Sequence, residues 1–163
     1  MTRANTSAPT SPEFYLGVYK QLSDVPERYR LENFEAEYAG RDVWEEFLDA
    51  VVLDESTAER HEQDIRRYGR RWKEHCEEAD VHHALATPTD VDNWCEKLLY
   101  RFSLRTAYTH WKTIERFYTW LQSHTEHPHV YHPPWLAAAN YEASGKIWKM
   151  KLKRRIEARG GEP

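Results

Sequence analysis

The chain predicts an all-α fold, and three observations carry that prediction. Apolar residues recur at three- and four-residue steps through most of the 163 residues. Helix-capping hydroxyls stand directly ahead of two long amphipathic runs, at Ser56 and Ser103. No segment reads as a strand, and no repeat of about 20–50 residues turns the pattern into a solenoid. The expected architecture is a bundle of four to five helices over 41–136. A helical extension over 13–40 precedes it, and a basic helix or linker over 137–163 follows. Residues 1–12, rich in Ser, Thr, Ala and Pro, read as a disordered arm.

In the extension, Phe14, Tyr15, Val18, Tyr19 and Leu22 have helical spacing. Pro26 opens a short acidic stretch, a second short helix or a wrapping loop, and Gly40 ends it. The first bundle helix, over 41–53, turns Val43 or Trp44, Phe47, Leu48, Val51 and Val52 to one side. Ser56-Thr57-Ala58-Glu59 is a capping box, in which the Ser hydroxyl accepts from an orphan N–H and Glu59 reaches back. The helix from Thr57 to about Glu78 carries a stripe of Ala58, His61, Ile65, Tyr68, Trp72 and Cys76. Its outer face is Arg60, Gln63, Arg66, Arg67, Arg70, Arg71 and Lys73. A third helix starts at Thr89 or Asp90 as N-cap and runs through Trp94, Cys95, Leu98 and Leu99; its early acids suit the helix dipole. Ser103 caps a fourth, from Leu104 to about Ser123. Leu104, Ala107, Tyr108, Trp111, Ile114, Phe117, Tyr118 and Leu121 line its buried side. Arg105, Thr106, Thr109, Lys112, Thr113 and Arg116 line the other. After a loop marked by Pro128, Pro133 and Pro134 come a short helix over 135–143, a break at Gly145, and a basic helix from Lys146 to Arg159. Ile147, Trp148, Leu152 and Ile156 give that last helix an apolar side.

Composition excludes several classes. No run approaches the ~18 apolar residues of a membrane span, and Met1–Pro12 lacks the apolar core of a signal peptide. The expected location is the cytoplasm. Cys76 and Cys95 are too few for a disulfide framework. With six glycines and no phosphate-cradling loop, a nucleotide fold has little support. Seven Trp, ten Tyr and five Phe must fill a small core or read a ligand.

A net charge of −4 argues against nucleic acid, but its distribution argues the other way. Residues 27–55 hold ten acids and three Arg, whereas 60–73 hold six basic residues against Glu62 and Asp64. Residues 146–163 hold seven Lys/Arg against two acids. Acidic and basic faces segregated in this way are the electrostatic footprint of a nucleic-acid binder. Solvated helices balanced by their neighbours are the plainer reading.

Residues 41–136 resemble the N-terminal core-binding domain of tyrosine recombinases, the SAM-like domain of phage integrases. The matching pieces come in order: Phe47-Leu48-Asp49; Ser56-Thr57-Ala58-Glu59-Arg60 with Asp64-Ile65 and Tyr68; and Thr89-Asp90-Val91. Ser103 and Thr106 follow, with Ile114-Glu115-Arg116-Phe117-Tyr118-Thr119-Trp120-Leu121, and His127-Pro128 stands where the family has Asn-Pro. The His, Trp and acidic usage is similar to that of haloarchaeal integrase-like proteins. The resemblance implies a bundle that forms half of a clamp on double-stranded DNA, with its second and fourth helices against the major groove and backbone. A recombinase also needs a catalytic domain with an Arg/Lys/His/Arg cluster and a Tyr nucleophile. The 27 residues after Leu136 hold no His and one Tyr, Tyr141. No catalytic residue is therefore expected here, and the chain is read as a stand-alone DNA-binding relative or the N-terminal piece of a longer integrase.

Hydroxyls and backbone N–H groups at helix N-termini suit phosphate oxygens, and Arg reads phosphates or guanine edges. The expected DNA-contacting residues are Ser56, Thr57, Arg60, Arg67, Ser103, Arg105, Thr106, Thr109, Lys112, Thr113 and Arg116. Lys146, Lys149, Lys153 and Arg154 join them from the last helix. Ser56 and Ser103 serve equally as plain helix caps. A catalytic integrase domain or a second copy are further conceivable partners; no cofactor and no membrane are expected. Two groups have zinc-compatible chemistry without zinc-site spacing: His124, His127, His129 and His132, and Cys76, His82, His83 and Cys95. A protein-interaction module is the competing class, on the aromatic content and the acidic leading half.

Overall fold

A computed structural model of the chain describes the backbone of residues 11–52 and 59–158, and the side chains of these except at 52, 152 and 154–158. Four short 3-10 turns come first, at Pro12–Tyr15, Leu22–Asp24, Glu27–Tyr29 and Leu31–Phe34. The helices are α1 (Glu35–Tyr38), α2 (Val43–Phe47), α3 (Glu59–Glu78), α4 (Pro88–Arg101), α5 (Leu104–Ser123), α6 (Pro133–Asn140) and α7 (Glu142–Ala158). A π turn at Leu48–Val52 prolongs α2. Among the described residues there is no strand, and the fold is all-α, as the periodicity predicts. No helix of the described residues is long and apolar enough to cross a membrane.

The central rod is α5, whose Trp111, Ile114, Phe117, Tyr118 and Leu121 are buried. Trp44 and Phe47 of α2 pack on it, with Trp44 4.8 Å and Phe47 5.5 Å from the Phe117 ring between centroids. Ile65, Trp72 and Cys76 from α3, Val91, Cys95 and Leu98 from α4, Leu136 from α6 and Ile147 and Trp148 from α7 complete the same core. The acidic extension joins it through Val25 and Leu31, and the Leu31 N–H donates to the Tyr131 hydroxyl at 3.1 Å.

Several sequence expectations are corrected. Residues 13–22 do not form one helix: Gly17 sits at φ +71° and turns the chain, leaving Phe14 and Val18 71% and 82% exposed. Tyr15, Leu16, Tyr19 and Leu22 still pack on the core. The buried stripe of α3 is rotated, taking in Gly69 and His75 while His61 is exposed. A helix α4 beginning at Thr89 or Asp90 is overturned by Thr87, whose hydroxyl accepts the Asp90 N–H at 3.1 Å while the Asp90 carboxylate accepts the Thr87 N–H at 3.0 Å. Pro88 follows as the first helical residue, where its missing N–H costs nothing. Helix α6 starts at Pro133 rather than Trp135. Gly145 is not a break. It lies inside α7, where a Cβ would stand 3.3 Å from the Ala138 carbonyl oxygen, and its absence lets α6 and α7 approach. Ser56 and the N-terminal part of its capping box lie outside the described residues.

Candidate nucleic-acid interface

The cations of α3 fall on two flanks, as the ~100° step of a helix dictates. On the flank toward α2, Arg66 pairs with Glu45 at 2.9 Å and with Glu62 at 3.1 Å, and Lys73 pairs with Asp42 at 2.7 Å. The acidic leading segment thus takes up two cations that the sequence places on an open face. On the other flank, Arg60, Arg67 and Arg71 fall at i, i+7 and i+11. Of these, Arg67 has one carboxylate, Asp64, at 2.9 Å. Arg70 is exposed between the flanks and makes no ion pair among the described residues.

That second flank meets the start of α5. The Arg71 guanidinium donates to His110 Nε2 at 2.9 Å, and His110 Nδ1 donates to the Thr106 carbonyl at 3.0 Å. The Tyr68 ring lies 4.4 Å from His110, and the Phe102 ring stacks on His110 at 4.8 Å. Arg71 and Arg101 both sit over the Phe102 ring, at 5.5 and 5.1 Å, and Arg67 sits over Tyr68 at 5.4 Å. Burial and the neighbouring charges of Arg101, Arg67 and Arg70 hold the Arg71 pKa below its ordinary value. The same burial, with the cations around it, keeps His110 below the usual histidine range. Arg67, Arg71 and Arg101 therefore form one arginine cluster around His110 and Phe102, with Asp64 the one carboxylate paired to it among the described residues; Arg70 adjoins it on the side of Glu74 and Glu77.

Beside the cluster, α5 carries Arg105, Thr109, Lys112 and Arg116 at i, i+4, i+7 and i+11, one stripe of the helix. Arg105 and Lys112 are exposed, while Thr109 and Arg116 are half-buried. Ser103 caps the helix: its Oγ accepts the Thr106 N–H at 3.2 Å and donates to Thr106 Oγ1 at 3.1 Å. Thr113 is a correction. It is 7% exposed and its hydroxyl donates to the Thr109 carbonyl at 3.2 Å, so it belongs to the interior of the bundle rather than to a contact surface.

The C-terminal cations lie on α7. Helix α7 packs on α5 by Trp148 against Trp111 and by Lys151 against Glu115. On the α5 wheel those partners lie roughly 100–140° from His110, and the stripe of Arg105, Thr109, Lys112 and Arg116 lies at roughly 200–260°, between them and the His110 side. Lys146, Lys149 and Lys153 are exposed there. Ser56, Thr57 and the side chain of Arg154 lie outside the described residues. Arg101 is the residue that sequence reasoning missed, and Arg70 and Arg71 were legible only as members of an outer face. A cation two residues before a capping Ser is a weak signal, and its closeness to α3 is a tertiary fact.

The histidines have other employment. His83 Nε2 accepts the N–H groups of Val43 and Trp44, at 3.1 and 3.2 Å, at the start of α2. His132 Nδ1 accepts the Trp135 N–H at 3.2 Å and so caps α6. His129 Nε2 donates to the Ala84 carbonyl at 2.7 Å, and the Tyr38 hydroxyl donates to His127 Nδ1. Burial pushes His83 and His132 down to about 3 and His129 down to about 4, so the rings are neutral linkers. Both cysteines are buried, and burial pushes Cys95 up to about 12. Among the described residues no group of three or more His, Cys, Asp or Glu is placed to hold a metal ion.

Comparison of the chain with protein-family models, with curated proteins and with solved structures gives no match.

Proposed function

We propose that this chain is a duplex-DNA-binding module without a catalytic centre of its own, serving as the core-binding domains of tyrosine recombinases serve. Its gripping surface comprises Arg60, Arg67, Arg70 and Arg71 of α3, Arg101 and Ser103 at the α4–α5 turn, and Arg105, Thr106, Thr109, Lys112 and Arg116 of α5. One observation carries the reading: Arg67, Arg71 and Arg101 converge around His110 and Phe102, and among the described residues Asp64 alone pairs with them. Like charges so gathered repel one another in the free protein, and a polyanion relieves that cost. Guanidinium forks match phosphate oxygens, and the His110 and Phe102 contacts hold Arg71 in one orientation before a ligand arrives.

Fluorescence anisotropy with a labelled random duplex tests this. Binding at about 50 mM salt should weaken steeply with added salt, because each neutralised phosphate releases counterion. Arg70→Glu with Arg101→Glu should lower affinity by at least about tenfold and flatten the log–log salt dependence by about two. The melting temperature should hold, since neither residue makes an ion pair among the described residues. Lys146→Glu with Lys149→Glu on α7 should have a smaller effect. No binding at low salt, or a larger loss from the α7 pair, overturns the reading.

A further inference from the structure

The end of α4 carries a feature that a grip on the phosphate backbone does not use. Trp94, Leu98, Tyr100 and Phe102 enclose an apolar pocket of about 320 Å³, with Lys97 and Arg101 also lining it. That volume is at the lower end of the range for small-ligand sites. Trp94 and Leu98 form a buried wall, whereas Tyr100 is 95% exposed and makes no hydrogen bond or ring contact among the described residues. A phenol ring in that position contributes little to folding.

The charge at the pocket is positive. The Lys97 ammonium is engaged by His75 Nδ1 at 3.0 Å and by Glu78 at 3.1 Å, but Arg101 has no carboxylate partner among the described residues. Arg101 and Phe102 also belong to the arginine cluster, and the Phe102 ring lies under both Arg101 and Arg71. An occupant must therefore join an apolar ring to an adjacent anion. An apolar protein side chain would satisfy the walls and leave the neighbouring arginines unmatched.

We infer that this pocket takes an unpaired nucleobase, at a strand end or junction of the DNA whose phosphates the arginine cluster holds. The inference rests on the duplex-binding reading above. Every nucleotide offers a base with a π-face for Tyr100 and a backbone phosphate for Arg101, so the site tolerates any sequence.

The full chain is titrated against a labelled blunt duplex and against the same duplex with a three-nucleotide single-stranded overhang. The overhang should bind at least about fivefold more tightly, the least expected of one stacked base. Tyr100→Ala should abolish that difference and leave the blunt-duplex affinity unchanged. Equal affinity of the parent protein for the two duplexes overturns the inference while sparing the duplex-binding reading. Loss of both affinities alike in Tyr100→Ala does the same. Absence of binding to either duplex overturns both. A concentration-dependent dimer in sedimentation that Tyr100→Ala dissolves assigns the pocket to a second copy, and also overturns the inference.

Discussion

At the scale of one residue, Gly69 decides how two helices meet. A Cβ there would stand 2.2 Å from Nε1 and 2.3 Å from Cε2 of the Trp44 indole. The indole cannot retreat: it is 2% exposed and packs against Phe47 and Phe117 at 5.3 and 4.8 Å. Helix propensity favours alanine over glycine by about 1 kcal/mol, so an isolated α3 would gain from the change. In the folded protein the clash outweighs that gain. Gly69→Ala should destabilise by roughly 2 kcal/mol, as overpacking does, lowering the urea midpoint with the m-value unchanged. Trapping the effect in a pair tests its origin: Trp44→Phe in the Gly69→Ala background should return part of the loss. A Gly69→Ala protein as stable as its parent would show that α2 does not lie against α3 at this point.

At the scale of elements, one carboxylate ties three helices. Glu115 of α5 accepts from Trp135 Nε1 of α6 at 2.7 Å and from Lys151 of α7 at 2.6 Å. The Lys151 and Glu115 side chains are 17% and 12% exposed, so the pair is largely withdrawn from water. Glu115→Ala leaves a buried ammonium and an indole N–H without their acceptor, and should cost about 3 kcal/mol. Limited proteolysis should then cut α7 first, and cleavage unchanged from the parent would assign the anchoring of α7 to Ile147 and Trp148 alone. This tie also marks what the sequence could say. Helix α5 was legible from cap to end, because Ser103 and an unbroken apolar stripe are local signals. Lys151 was not, since it sits in a basic run that reads as solvated. Helix α6 begins on a ring nitrogen of His132, and at α2 a ring nitrogen of His83 joins the ordinary cap Asp42; histidine is outside the usual N-cap set. The basic faces of α3 and α5 were likewise legible as faces. That Arg66 and Lys73 are spent on Glu45 and Asp42, and that Arg101 completes the cluster, depends on contacts between segments far apart in the chain.

At the scale of the whole molecule, the buried histidines make stability a function of pH. Burial is the first cause that holds His75, His82, His83, His110, His127, His129 and His132 below the ordinary histidine range. In the unfolded chain each titrates near pH 6.5, whereas His83, His129 and His132 stay neutral in the fold down to about 3, about 4 and about 3. Between those limits the unfolded state binds more protons, so stability is whole above about pH 6.5 and falls as the pH is lowered. Each of the three contributes a slope of about 1.4 kcal/mol per pH unit, which by pH 5 removes about 6 kcal/mol together. A domain of this size has only about 5–15 kcal/mol to lose. The expected result is cooperative loss of helical circular dichroism with a midpoint near about pH 4–5, with uptake of several protons. The same protonation would take from Arg71 its acceptor on His110, so the arginine cluster should lose its order along with the loops. Urea stability that is flat from pH 7 to pH 5 would mean that water reaches these rings in the folded state, and that the caps on α2 and α6 are not the neutral nitrogens described.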